Sequence, residues 1–250
     1  MKTKEVLMKF LLVLCVAILT LNINAEDKKP LTVIPTVQTA KFAQKWWMPR
    51  HREKLAAKEK MAQVDLVFLG DSITHAWDTK AKNLWKKYYG SKKALNLGFS
   101  GDRTEHVLWR LNNGAVDGIS PKALVLMIGT NNTGQKIRQD KAEDTALGIK
   151  AILDTLKQKL PETKILLLAI FPRDAKPDGK FRQVNETINA RIKTYADEES
   201  VYFLNINNIF LDKNGILTKK VAKDLLHPNP AMYNNWAKAI EPKLKELMAR

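Results

Sequence analysis

Five short apolar runs recur along the chain, and the stretches between them carry apolar residues at helical rather than strand spacing. The runs are 64–69 (Val-Asp-Leu-Val-Phe-Leu), 94–97 (Ala-Leu-Asn-Leu), 123–128, 165–170 and 201–204. The helical stretches are 81–89, 104–111, 140–159, 181–198 and 230–248, with a further one over 38–61 that Pro49 is expected to break. Strands alternating with helices run parallel, because each crossover helix returns the chain to the same end of the sheet. The expected fold class is therefore α/β: three layers, α/β/α, around a mostly parallel five-stranded sheet of the flavodoxin-like kind. With 250 residues, 45% apolar and 27% charged, the chain is long enough to bury one such core and is neither fibrous nor disordered in make-up.

Open sheets of this kind bind ligands at the carboxyl ends of their strands, so the segments following the apolar runs are where chemistry belongs. The first run leads into Gly70-Asp71-Ser72-Ile73-Thr74, which sets a hydroxyl and its own N–H at a strand-to-helix turn. The second leads into Gly98-Phe99-Ser100-Gly101-Asp102, where glycine lets backbone approach a bound atom closely. The third leads into Gly129-Thr130-Asn131-Asn132, which offers side-chain amides, and near the C-terminus stands Asp224-Leu225-Leu226-His227. In a helical turn, residues three apart share a face, so Asp224 is expected to hold the His227 imidazole as a general base requires. Singly, Gly-Asp-Ser fits a helix N-cap and Asp-x-x-His a structural pair. A metal site lacks partners with ligand spacing. Four such blocks in this order, three of them after expected strands, specify nucleophilic catalysis.

Residues 1–25 read as a secretory signal peptide: a basic start (Lys2, Lys4, Lys9), an apolar core from Phe10 to Leu21, and small Ala25 before Glu26 for cleavage. That core is too short to cross a bilayer as a helix. Secretion, to the periplasm or outside the cell, is the expectation, with 26–40 a flexible lead-in and 41–250 a single domain. The one cysteine, Cys15, lies inside the leader, so neither a disulfide framework nor a cysteine metal site is expected. Lys and Arg total 42 against 26 acidic residues, a net charge of +16. The lysines are scattered along helical stretches rather than gathered into one dense stripe, which reads as a solvated basic surface rather than a nucleic-acid site.

The constellation resembles the SGNH (GDSL-type) hydrolases, named for Ser, Gly, Asn and His in four blocks, here Ser72, Gly101, Asn131 and His227. The stretch 95–102, continuing through His106-Val107-Leu108-Trp109-Arg110-Leu111 and Asn113-Gly114, is similar to the catalytic subunits of intracellular platelet-activating-factor acetylhydrolase. So are Arg50-His51 and Arg182-Gln183-Val184-Asn185, and the similarity spans about residues 45–248. Asn132 stands where many members carry Asp, and that subfamily shares the Asn. The resemblance implies a Ser72–His227–Asp224 triad, an oxyanion hole of the Ser72 N–H, the Gly101 N–H and the Asn131 amide, and no metal or organic cofactor. It leaves a homodimer open. The leader is foreign to that intracellular subfamily, so its ether-lipid substrate is not carried over. The expectation is a secreted serine esterase removing short acyl groups, acetyl foremost, from carbohydrate. A lysophospholipase or thioesterase, and a non-catalytic carbohydrate-binding relative, are the rivals. His75, Trp77 and Arg103 are candidate substrate-pocket residues, with core packing the competing role for Trp77 and a surface salt bridge for Arg103. His51 and His106 are read as structural. Trp46 and Trp47 are read as packing, or, if exposed, as surfaces on which a sugar ring stacks.

Overall fold

A computed structural model describes residues 29–249; the expected signal peptide lies outside the described residues. The sheet has five parallel strands: β1 (Leu66–Gly70), β2 (Ala94–Gly98), β3 (Ala123–Met127), β4 (Lys164–Leu168) and β5 (Val201–Leu204). They lie in the order β2-β1-β3-β4-β5. Helices α1 (Trp47–Lys60), α2 (Ser72–His75), α3 (Lys82–Tyr89), α4 (Thr104–Asn112), α5 (Thr130–Gly134), α6 (Ala142–Lys159), α7 (Lys180–Lys193) and α8 (Pro230–Ala249) complete the fold. This is the expected three-layer arrangement.

The strands are buried on both faces, and their alternation sorts side chains into two cores. Val67, Leu69, Leu95, Leu97, Leu124 and Leu126 meet α4, α6 and α7. Leu66, Phe68, Val125, Met127 and Leu168 meet α3, α8 and an aromatic cluster around Trp77 and Trp236. Direct reversal of strand order occurs at β1, between β2 and β3. The loops after these three strands therefore open onto one crevice, and all three strand-following sequence blocks lie there.

Three expected boundaries differ. Residues 31–40 are not a loose lead-in: the compact unit begins at Leu31, Thr32 donates to the Asp144 carbonyl (2.6 Å) and accepts from Thr104 (2.9 Å), and Gln38 is buried. Pro49 does not break a helix but sits in the first turn of α1, where no backbone donor is needed. Helix α7 stops at Lys193 because Asp197 accepts the N–H groups of Glu199, Ser200 and Val201, turning the chain into β5.

Candidate active site

The turn after β1 is set by Asp71, whose Oδ1 accepts the Ile73 N–H (2.9 Å) and caps α2. Ser72 is thereby the first residue of that helix, with an N–H that no intrahelical carbonyl can take. Asn96, on β2, donates to the Thr74 carbonyl (3.1 Å) and accepts the Gly98 N–H (2.8 Å), so the ends of β2 and α2 are tied together. A side chain at Gly98 would run into the backbone of Thr74 and His75.

Ser72 Oγ lies 2.8 Å from His227 Nε2, and His227 Nδ1 lies 2.6 Å from Asp224 Oδ2. The other oxygen of Asp224 accepts the N–H groups of Leu226 (3.1 Å) and His227 (2.8 Å). Burial pushes the Asp224 carboxyl up, but its hydrogen bonds from the His227 side chain and backbone outweigh this and hold it below the usual carboxylate range. A carboxylate on Nδ1 fixes the proton there and leaves Nε2 as an acceptor for the serine hydroxyl. Asp224 and His227 share a tight turn, not the helix face expected: Leu225 has a left-handed φ of 57°, and Pro228 disfavours helix at the residue before it.

Gly101, at a φ of 76°, offers an N–H with no protein acceptor among the described residues, while its carbonyl accepts from Gln38 and Gln135, each at 3.1 Å. Asn131 is buried, and its amide donates one N–H to the Asp102 carbonyl (2.9 Å), leaving the second without a protein acceptor. Beside Ser72 and His227 opens a cavity of about 230 Å³, walled by His75, Ala76, Ser100 and Tyr233. Among the described residues no group of three or more His, Cys, Asp or Glu side chains is arranged to hold a metal ion.

Residues 68–234 match the model of the GDSL-like lipase/acylhydrolase family. The chain belongs to this family. It is thus an ester hydrolase of the SGNH superfamily. The alpha2 subunit of platelet-activating factor acetylhydrolase IB from Rattus norvegicus is 30% identical over 223 residues, covering 89% of this chain and 93% of the relative. The human alpha1 subunit is 31% identical over 227 residues, covering 90% and 93%. Among solved structures, a GDSL-like lipase of Bacteroides thetaiotaomicron superposes with a TM-score of 0.65 at 22% identity, over 79% of this chain and 97% of its own. The acetylxylan esterase Axe2 of Geobacillus stearothermophilus gives 0.58 at 18%, over 75% and 96%.

Of the three candidate pocket residues, this GDSL-family hydrolase brings only His75 to the cavity. Trp77 is fully buried: its ring stands edge-on to Tyr233 (4.8 Å between centroids) and packs on Phe68, Trp85 and Trp236. The short 3₁₀ turn after α2 rotates it inward, so it backs the pocket wall without lining it. Arg103 is neither in the pocket nor in a surface pair. It is buried, bonding Glu105 (3.0 Å), Asp140 (2.6 Å) and the carbonyls of Asn131 (3.0 Å), Asn132 (3.1 Å) and Arg138 (3.0 Å), and so fixes the Asn131 backbone.

His106 is structural: it accepts the Arg103 N–H (3.1 Å), and burial followed by Arg103 pushes it down to about 3. His51 donates to the Asn113 carbonyl (3.0 Å), and burial with Arg110 holds it below the usual imidazole range. Trp47 is core, its Nε1 on Asp102 (2.6 Å). Trp46 is half-buried. Tyr233 and Gln38 were missed. Tyr233 donates to the Ile73 carbonyl (2.8 Å) from the last helix, and a contact between elements so far apart leaves no local signal. Ser100 lay within a recognised block, but its partner, His75, shows only in three dimensions.

Proposed function

We propose that this GDSL-family hydrolase is a serine esterase removing short acyl groups, acetyl foremost, from carbohydrate hydroxyls. Ser72 is the nucleophile, His227 the general base and then acid, and Asp224 the orienting carboxylate. The observation that carries this is the continuous relay from Asp224 through His227 to Ser72 at the edge of the cavity. His227 Nε2 takes the hydroxyl proton as Ser72 Oγ bonds to the ester carbonyl carbon, then hands it to the departing alcohol oxygen as the C–O bond breaks. Water, deprotonated by the same nitrogen, next attacks the acyl carbon; the bond to Ser72 Oγ breaks, Oγ takes the proton back from His227, and the carboxylic acid leaves. The Ser72 and Gly101 N–H groups and the free N–H of Asn131 are the donors for the oxyanion of each tetrahedral intermediate.

The cavity supports a short acyl group. A longer chain gains roughly 0.8 kcal/mol for each methylene it buries, yet the walls include Lys80, Ser100, Thr79 and two imidazoles rather than an apolar tunnel. The mammalian relatives, acetylhydrolase subunits at 30–31% identity, support the same acyl group. They also favour a second reading for the alcohol half, a lipid. Secretion through cleavage after Ala25 remains part of the proposal. Hydrolysis of p-nitrophenyl esters from acetate to octanoate tests it: rates fall with chain length for the native enzyme, and Ser72→Ala gives no turnover. A maximum at octanoate would move the reading to lipid substrates, and equal activity of Ser72→Ala would remove Ser72 as nucleophile.

A further inference from the structure

The cavity beside Ser72 does not end at His75. The same imidazole also walls an open groove of about 400 Å³ on its far side, together with Trp46, Lys45, Pro49, Arg50 and Glu53. Resting on the esterase reading, we propose that this groove is the subsite for the alcohol half of the ester. In it a sugar ring stacks on Trp46 and accepts a hydrogen bond from His75 Nε2–H.

The donor follows from what holds His75. Its Nδ1 receives the Ser100 backbone N–H (3.3 Å) and lies 3.0 Å from the Ser100 hydroxyl. A backbone N–H only donates, so Nδ1 carries the lone pair and the proton of the neutral ring is on Nε2. That nitrogen has no protein partner among the described residues. Burial, reinforced by the Arg50 guanidinium, pushes His75 down to about 4, so the ring is an uncharged donor at neutral pH and does not compete with His227 for the serine proton.

The platform is equally fixed. Trp46 donates its Nε1 to the Phe42 carbonyl (2.8 Å), a surface hydrogen bond that satisfies the indole's polar atom and fixes the ring's orientation. Its ring lies 5.7 Å from that of His75 at 44°, so donor and platform border one space. The charges nearest the ring are mostly engaged: Arg50 and Lys54 both pair with Asp78, at 2.7 Å each. Arg50 also donates to the Gly98 carbonyl (3.0 Å). Lys45 and Glu53, exposed and in no ion pair among the described residues, contribute one charge of each sign. An aromatic face, a neutral N–H donor, one ammonium and one carboxylate suit an uncharged polyhydroxylated ring. They do not suit an alkyl chain, which would find only Pro49 and the indole.

The test compares two acetate esters on native enzyme, Trp46→Ala, Trp46→Phe and His75→Phe: an acetylated methyl xyloside, whose ring reaches the groove, and ethyl acetate, whose alcohol does not. The readout is the ratio of kcat/KM for the two, in which changes to the shared reaction centre cancel. The ratio falls about tenfold in Trp46→Ala, the worth of one good ring contact, and returns toward native in Trp46→Phe. It falls in His75→Phe too, which keeps a ring but has no N–H. An unchanged ratio in Trp46→Ala overturns the subsite while the esterase stands. Failure of native enzyme to cleave either ester in a Ser72-dependent way overturns both. Binding of the methyl xyloside to folded Ser72→Ala, lost in the Ser72→Ala, Trp46→Ala double variant, supports the subsite independently of turnover.

Discussion

Asp71 immediately precedes Ser72 and is completely buried, with one oxygen capping α2 and the other without a partner among the described residues. Burial, with Asp102 adding to it, pushes its carboxyl up to about 7. Because the folded value lies above the ordinary aspartate value of about 3.9, the folded protein keeps a proton that the unfolded chain releases. That contribution to stability is full below about pH 4 and is lost as pH rises through about 7. Asp71→Asn keeps the capping oxygen and cannot ionise. Its melting temperature should therefore fall less between pH 5 and pH 8.5 than the native protein's; identical slopes would contradict the buried neutral carboxyl. At Asn131 the effect is on chemistry: Asn131→Ala should lower kcat for acetate esters by about 10²–10³ with an unchanged circular dichroism spectrum. A loss of less than a few-fold would take its amide out of the oxyanion hole.

Between the elements, the backbone of the Gly101 block is held by a buried ion pair. Asp102 accepts from Arg110 (2.8 Å) and from Trp47 (2.6 Å), while Arg110 lies over the Phe99 ring at 4.1 Å. Removing one partner leaves an uncompensated buried charge, so Arg110→Leu should cost about 3–5 kcal/mol in urea unfolding. Adding Asp102→Asn should recover much of it, and a double variant no better than the single would refute the pairing. Trp77→Ala should cost a similar amount, about 3–5 kcal/mol, through the cavity it leaves beneath α2 and α8. It should not single out longer esters for faster cleavage, as it would if the indole lined the pocket. The direction of Trp77 depends on a three-residue 3₁₀ turn, which periodicity does not encode. Ser72, Gly101 and Asn131 were legible for the opposite reason: each stands just after a strand, where a sheet of this kind gathers its polar groups. The Asp224–His227 pair was legible as a pair but not as local structure, since Pro228 and the left-handed Leu225 give it a turn in place of a helix.

At the scale of the molecule, the strand order does the positioning. Reversal at β1 brings three loops from separate stretches of sequence to one crevice, and α8 closes the fourth side by carrying Tyr233 under the pocket. Layer number, strand count and parallel direction were all written in the alternation of apolar runs. The packing of residues 31–40 was not, because Thr32 and Gln38 are polar residues whose burial rests on hydrogen bonds to distant loops. The central claim is that an ester's acyl group is carried by Ser72, and one measurement addresses it directly. The native protein is titrated with an alkyl fluorophosphonate, residual hydrolysis of p-nitrophenyl acetate is followed, and the modified peptide is mapped by mass spectrometry. The account predicts one label, on the peptide containing Ser72, with activity lost in proportion and no label in Ser72→Ala. Label on another serine, or full activity in a protein labelled at Ser72, would contradict it.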